Sequence, residues 1–281
     1  MGKGIQKWSE AVIERRQREG YGSGDGAAYK PWVGVHDIAS AGRMHRAFSQ
    51  AFGRTIHMLS DVESNTFLLL EYSRKFTQVY EGFPLERKCT LQIAEALGIQ
   101  HPYYQGTHVP AVMTVDFLAV RESNDDMLIV AFDCKRSEDA EDEHTIEKLQ
   151  ITRAYFAGRG VAHHLVFHSE LPMSKVKNIE WIRAAALKKG ETERYEGYFR
   201  EKANQMAYEL STSKHTTPLN EYCASFESRY QMGPGDGLRV ARMLMWERTL
   251  ECDLNNPNLQ SAPLNSFICT FDAGVPRAAA L

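Results

Sequence analysis

Two adjacent hydrophobic runs constrain this chain most. VPAVMTVDFLAV (109–120) and MLIVAFDCK (127–135) are rich in β-branched and aromatic residues, and the second alternates along its length. Both read as strands, and the polar stretch SNDD (123–126) between them reads as the turn of an antiparallel hairpin. Side chains alternate faces along a strand, so Asp133 and Lys135 share one face while Leu128, Val130, Phe132 and Cys134 share the other. The hairpin places Asp116, near the middle of the first run, beside Asp133. Neighbouring carboxylates repel unless a cation sits between them. A buried strand ending in a carboxylate and an ammonium on one face therefore holds either an ion pair or a site.

The surrounding elements indicate the setting. WSEAVIERRQRE (8–19) predicts a short helix capped by Ser9 and ended by the glycine-rich stretch 20–26, which no GK[ST] follows and which is therefore not a phosphate loop. SDVESNTFLLLEYS (60–73) predicts a helix. KFTQVYEGFPL (75–85) predicts a strand stopped by Gly82 and Pro84, and TLQIAEALG (90–98) a short helix. After the hairpin come a helix at 143–157 and a strand at 161–169. The order helix, strand, strand, strand, helix, strand suits a mixed sheet with helices on its faces, the core of restriction-endonuclease-like (PD-(D/E)xK) nucleases. Residues 1–172 are assigned to that catalytic domain.

Residues 173–281 lose the strand signal. Amphipathic helices are expected at 174–189, 193–211, 218–232 and 238–250, then two short strands around the Asn255-Asn256-Pro257-Asn258 turn. Helix, turn, helix and wing outline a mainly helical, winged-helix-like, partner-binding domain. The last ten residues, DAGVPRAAAL, read as disordered.

Composition narrows the partners. No run of about 18 apolar residues exists, so no membrane span is expected. Five scattered cysteines without a CxxC pair point to a reducing cytoplasm rather than a disulfide framework or thiolate zinc site. A net charge of −3 makes no global case for nucleic acid. Its distribution is uneven: residues 1–60 carry nine Lys/Arg against five Asp/Glu, whereas EDAEDE (138–143) carries five acids. A phosphate-tracking surface is therefore expected on the N-terminal side, through Arg15, Arg16, Arg43, His45, Arg46 and Arg54. The alternative is a basic helix balanced by a solvated acidic loop.

Hydrolysis of a phosphodiester needs an activated water, a stabilised pentavalent transition state and a departing oxyanion. Hard divalent ions held by carboxylates meet these needs. Asp116 is the natural shared ligand, Asp133 and the backbone carbonyl of Cys134 would complete one ion's shell, and Glu63 would extend it or bind a second ion. Lys135 would orient the attacking water or stabilise developing charge. Two structural alternatives stand beside this reading. Asp116 and Lys135 form a plain ion pair in one, and in the other Ser60-Asp61-Val62-Glu63 is a capping box in which Glu63 only ties down a helix start. His163 and His164 face opposite ways on one strand, so a shared zinc is not expected, and with His168 they read as core or surface residues. Cys134 points into the core and no G-x-S-x-G elbow is present, so a covalent nucleophile is not expected.

ERRQREGYGSGDGAAYKPW, the GRMHR…GRTIHMLSDVE block, EGFPL, TVDF, DCK, TIEKL and NIEW, spread over residues 8–182, together resemble the TnsA family, the endonuclease subunits of heteromeric bacterial transposases. The resemblance implies that Glu63 in SDVE matches the family's helix-borne acid, Asp116 in TVDF its central metal aspartate and Lys135 in DCK its catalytic lysine. The position of Asp133 often carries glutamine in the family, so Asp is a departure toward the general nuclease pattern. It implies Mg²⁺-dependent cleavage (Mn²⁺ substituting) of the 5′, non-transferred strands at transposon ends. It also implies a nucleoid-associated place in a bacterial cytoplasm, a DDE-type transposase partner (TnsB-like) and an AAA+ ATPase regulator (TnsC-like). A stand-alone restriction or repair nuclease and an inactive adaptor bridging transposase and ATPase are the alternatives.

Overall fold

The computed structural model describes residues 7–37, 43–123, 126–188, 190–212 and 216–271. The chain divides into two compact units, Met1–Leu171 and Pro172–Leu281.

The first unit begins with α1 (Glu10–Arg18), whose start is fixed by Ser9 Oγ accepting the Val12 amide at 3.3 Å. An antiparallel hairpin follows, β1 (His45–Ser49) with β2 (Arg54–Met58). Then come α2 (Asp61–Ser73), β3 (Gln78–Pro84), α3 (Arg87–Leu97), β4 (Thr114–Ser123), β5 (Asp126–Lys135), α4 (Glu143–Ala157) and β6 (Ala162–Phe167). The main sheet has the order β3-β4-β5-β6. Its first three strands form an antiparallel meander, and β6 returns parallel to β5 after the α4 crossover. The expected order of helices and strands is present, including the short helix expected at 90–98, which is α3 and starts earlier, at Arg87.

Two expectations shift. The first hydrophobic run enters the sheet at Thr114 rather than at Val109. Pro110 cannot donate to a ladder, and the segment before Thr114 instead makes local contacts, with the Tyr104 amide donating to Val109 O. The β1–β2 hairpin has no counterpart in the sequence reading. Its inward positions set the buried Ser49 and Arg54 beside Ile56 and Met58, so polar residues interrupt the hydrophobic period of two. Asn124 and Asp125 of the expected SNDD turn lie outside the described residues, as do 272–281, expected to be disordered.

The main sheet buries both faces. Leu118, Val120 and Ala131 pack with Ile151, Tyr155 and Phe156 of α4. On the other face Phe117 meets Phe67 of α2, ring centroids 6.3 Å apart. Adjacent residues 117 and 118 thus serve opposite layers, as the pleat requires. Both strands that carry the acid–lysine set are anchored by apolar packing on both sides.

The second unit contains α5 (Met173–Arg183), α6 (Tyr198–Thr212), α7 (Leu219–Arg229), α8 (Asp236–Trp246) and a two-residue antiparallel pair, β7 (Leu250–Glu251) with β8 (Ile268–Cys269). Val240, Ala241, Leu244 and Met245 bury α8 among the other three helices. Gly237 permits close packing there: a Cβ at this position would lie 2.6 Å from the Cys223 carbonyl oxygen of α7. Arg239 and Arg242 of α8 donate to the carbonyls of Ala185 and Trp181, satisfying groups that the end of α5 leaves open. The expected helices are present but shorter at the α5–α6 junction, and in place of two strands around the Asn255–Asn258 turn the described residues hold one two-residue pair, β7 with β8, which does not make a wing. Among the described residues no helix is long and apolar enough to cross a membrane.

Candidate active site

The β4–β5 ladder pairs Phe117 with Phe132 and goes no further, so Asp116 and Asp133 stand at the mouth of the hairpin. Where the next ladder bond would fall, the Asp116 carboxylate takes over: its Oδ2 accepts the Cys134 amide at 2.7 Å. The same oxygen accepts from Lys135 Nζ at 3.1 Å. Lys135 Nζ also donates to the Cys134 carbonyl at 3.2 Å and lies 3.7 Å from Asp133 Oδ1. The ammonium is therefore ringed by three oxygens, from Asp116, Cys134 and Asp133. On the neighbouring strand the position opposite Asp116 is Gly82, between the Glu81–Phe117 and Phe83–Val115 pairs. It has a positive φ of 51° and no room for a side chain, since a Cβ would lie 3.1 Å from Val33 O.

Electrostatics follow this geometry. Burial opposes the Lys135 charge, yet Asp116 and Asp133 outweigh it and push the ammonium pKa above its ordinary value. Burial raises the Asp116 carboxyl pKa; Lys135 pulls it back down, and the charge of Asp133 adds to the rise. Glu63 is pushed up to about 8, by burial first and the Asp116 charge second. One lysine does not neutralise these acids. Cys134 is buried, which with the charge of Asp116 pushes its thiol well above its ordinary value and rules it out as a thiolate nucleophile.

Glu63 closes a variant of the capping box, accepting the Leu59 amide just before the cap rather than the amide of Ser60 itself. The Glu63 amide donates to Ser60 Oγ at 3.1 Å, Ser60 Oγ donates to Glu63 Oε1 at 2.9 Å, and Glu63 Oε2 accepts the Leu59 amide at 2.8 Å. The carboxylate nevertheless faces Asp116 and Lys135 closely enough for their charges to act on it. Capping and proximity to the site coexist, as the S-x-x-E spacing permits.

The structure brings one further residue to this cluster. His163 Nε2 lies 2.9 Å from Asp133 Oδ2, and both side chains are almost fully buried. By sequence alone His163 reads as an ordinary core or surface histidine. The contact depends on the parallel register Asp133↔Leu165, which sets His163, two residues earlier on β6, on the same face as Asp133. A crossover register of that kind leaves no local mark in the sequence.

The expected phosphate-tracking residues divide. Arg15, Arg43 and Arg46 are exposed, and His45 is half-buried with Nε2 2.6 Å from Asp61. Arg16 and Arg54 correct the expectation, because both are buried in ion pairs. Arg16 holds both oxygens of Asp37 at 2.9 Å and the Trp32 carbonyl at 2.7 Å. Arg54 holds Glu81 at 2.8 Å and the Val79 carbonyl at 2.6 Å beneath the Tyr29 ring. Two of the N-terminal positive charges thus serve the interior rather than a phosphate backbone.

Among the described residues no three His, Cys, Asp or Glu side chains already stand gathered around a common metal position. The donor set still fits a hard divalent cation, since Asp116, Asp133, Glu63 and the Cys134 carbonyl are all oxygen donors. Lys135 already acts as a resident cation among three of these oxygens.

Residues 73–168 match the model of the TnsA-like endonuclease N terminal family, and residues 170–254 match that of the TnsA endonuclease C terminal family. The Escherichia coli protein described as Transposon Tn7 transposition protein TnsA is 37% identical over 182 residues, which span 65% of this chain and 66% of that protein. The two models meet near the boundary between the compact units, and the N-terminal match contains Asp116, Asp133 and Lys135. By these matches, the chain belongs to the TnsA endonuclease family.

Proposed function

We propose that the chain is the metal-dependent DNA endonuclease subunit of a cut-and-paste transposase, hydrolysing the 5′, non-transferred strands at transposon ends. The observation that carries the chemistry is the oxygen ring of Asp116, Cys134 and Asp133 around Lys135 Nζ, built on two packed strands. Family membership supports transposition as the setting, the E. coli relative being a transposition protein by its description.

Asp116, Asp133, the Cys134 carbonyl and Glu63 would hold the ion, Mg²⁺ by their hard-oxygen chemistry with Mn²⁺ substituting. The bound ion would supply Lewis-acid stabilisation of the phosphoryl oxygens and activation of the attacking water. Asp116 is fixed from two directions, by the Cys134 amide and by Lys135, so its free lone pairs are preorganised. Lys135 keeps its proton among the acids and therefore acts as a hydrogen-bond donor and positive charge toward the scissile phosphate or the attacking water, not as a base. The exposed Arg15, Arg43 and Arg46 would follow the DNA backbone. Pro172–Leu281, whose described residues include α5 to α8 and the short β7–β8 pair, is the proposed binding unit for an AAA+ ATPase regulator (TnsC-like). A DDE-type transposase (TnsB-like) would recognise the ends and cut the opposite strands.

The test is nicking of transposon-end DNA in Mg²⁺ with the partner subunits present. Asp116→Ala and Lys135→Ala should each lose 5′-strand nicking by about 10³-fold or more while remaining folded, as circular dichroism would show. Undiminished nicking by Asp116→Ala would remove this site from the reaction.

A further inference from the structure

We propose that His163 is a positioning residue that locks the Asp133 carboxylate with Oδ1 turned toward Lys135 and Asp116. The inference rests on the metal-site reading above. The two oxygens of Asp133 have different neighbours: Oδ2 meets His163 Nε2 at 2.9 Å, while Oδ1 lies 3.7 Å from Lys135 Nζ. A carboxylate turns about a broad, two-fold χ2 torsion, so its own covalent geometry does not select an orientation. A donor on one oxygen does.

Position 133 determines why a donor is needed there. A carboxylate only accepts hydrogen bonds, so an aspartate buried at the end of β5 needs a donor behind it. His163 Nε2–H supplies that donor from β6. The ring is itself held, packed on Phe156 of α4 with centroids 5.6 Å apart, and the parallel β5–β6 ladder fixes its height against Asp133. Adjacent His164 lies on the other face of β6, stacked on Phe132 at 5.5 Å, and makes no such contact. The arrangement follows the general rule that ligating carboxylates are oriented by hydrogen bonds from residues one shell out, whose loss costs about 10–100-fold in metal affinity.

The experiment measures Mn²⁺ binding to the full chain by electron paramagnetic resonance, with thermal melting in parallel. Six proteins are compared: wild type, Asp133→Ala, Asp133→Gln, His163→Ala, His163→Gln and the double change Asp133→Gln/His163→Ala. Asp133→Ala should weaken Mn²⁺ binding. His163→Ala should weaken it about 10–100-fold, and His163→Gln, which keeps a donor, should recover part of that loss. In the Asp133→Gln background, removing His163 should have no further effect on Mn²⁺ affinity, since the amide carries its own donor and no longer needs the imidazole. A merely structural histidine would cause the same loss in both backgrounds, and that outcome overturns the proposal. So does unchanged binding by His163→Ala when Asp133→Ala binds weakly. If His163→Ala does not fold, His163→Gln decides: affinity as low as that of Asp133→Ala overturns the proposal, and near-wild-type affinity supports it. If the wild type binds no Mn²⁺, or Asp133→Ala binds as well as wild type, the underlying metal-site reading fails instead.

Discussion

Arg46 and Arg54 sit on opposite strands of one hairpin, and burial alone separates their roles. Arg54 is almost fully enclosed and neutralises Glu81, whose carboxyl pKa burial raises even with that partner in place. Arg54→Met leaves Glu81 enclosed without its counter-charge, a loss of about 3–5 kcal/mol of stability. Arg46 is exposed, so Arg46→Ala should leave stability within about 0.5 kcal/mol and instead lower the salt dependence of DNA binding by about one counterion. Urea melts and salt-dependent DNA titrations of the two variants read these effects separately. If Arg54→Met weakened DNA binding while melting like wild type, the buried-pair assignment would be wrong. Charge composition cannot make this distinction. Arg16 and Arg54 look like their surface neighbours in the sequence because their partners, Asp37 and Glu81, are more than twenty positions away.

At the level of elements, α2 links the fold to the site. Ser60 caps it and Glu63 closes the box, so truncating either disturbs the helix start, but only Glu63 also faces Asp116 and Lys135. Ser60→Ala is expected to lower stability by about 0.5–2 kcal/mol with nicking retained. Glu63→Ala is expected to lower both. Equal nicking by the two variants would reduce Glu63 to a cap. The strands bearing the acid–lysine set were legible in advance because β-branched alternation and a polar turn are local signals, and β5 lies within a residue of where that pattern sets it. The β1–β2 hairpin was not legible, because its inward face carries a serine satisfied within its own turn and an arginine whose partners, Glu81 and Val79, lie more than twenty positions away. His163 escaped for a related reason. Its role exists only through the register of a parallel pair closed across a whole helix, whereas Asp116, Asp133 and Lys135 meet across a short turn.

At the scale of the whole molecule, the chain carries a net charge of −3, and part of its N-terminal positive charge is consumed inside buried pairs. Under the proposed function, the exposed Arg15, Arg43 and Arg46 would give salt-sensitive contact but are poorly matched to selecting a sequence, which takes several base-edge contacts. End selection should therefore come from a partner. The isolated full chain is expected to bind end DNA and scrambled duplex with affinities within about threefold of each other, since each base-specific contact would be worth about 1–3 kcal/mol. Both affinities should fall steeply between low and physiological salt. Efficient nicking at the ends should appear only when the transposase partner is added. Anisotropy titrations of the two duplexes, followed by strand-resolved nicking with and without that partner, test this directly. Sequence-selective cutting by the chain alone would instead favour a stand-alone nuclease. Ending the chain after Leu171 separates the remaining roles: this first unit holds Asp116, Asp133, Lys135, Glu63 and His163, and the second unit has its own buried centre on α8. The shortened chain should keep Mn²⁺ binding and lose capture by the ATPase regulator. If it kept that capture, the regulator's binding surface would have to lie on the nuclease unit.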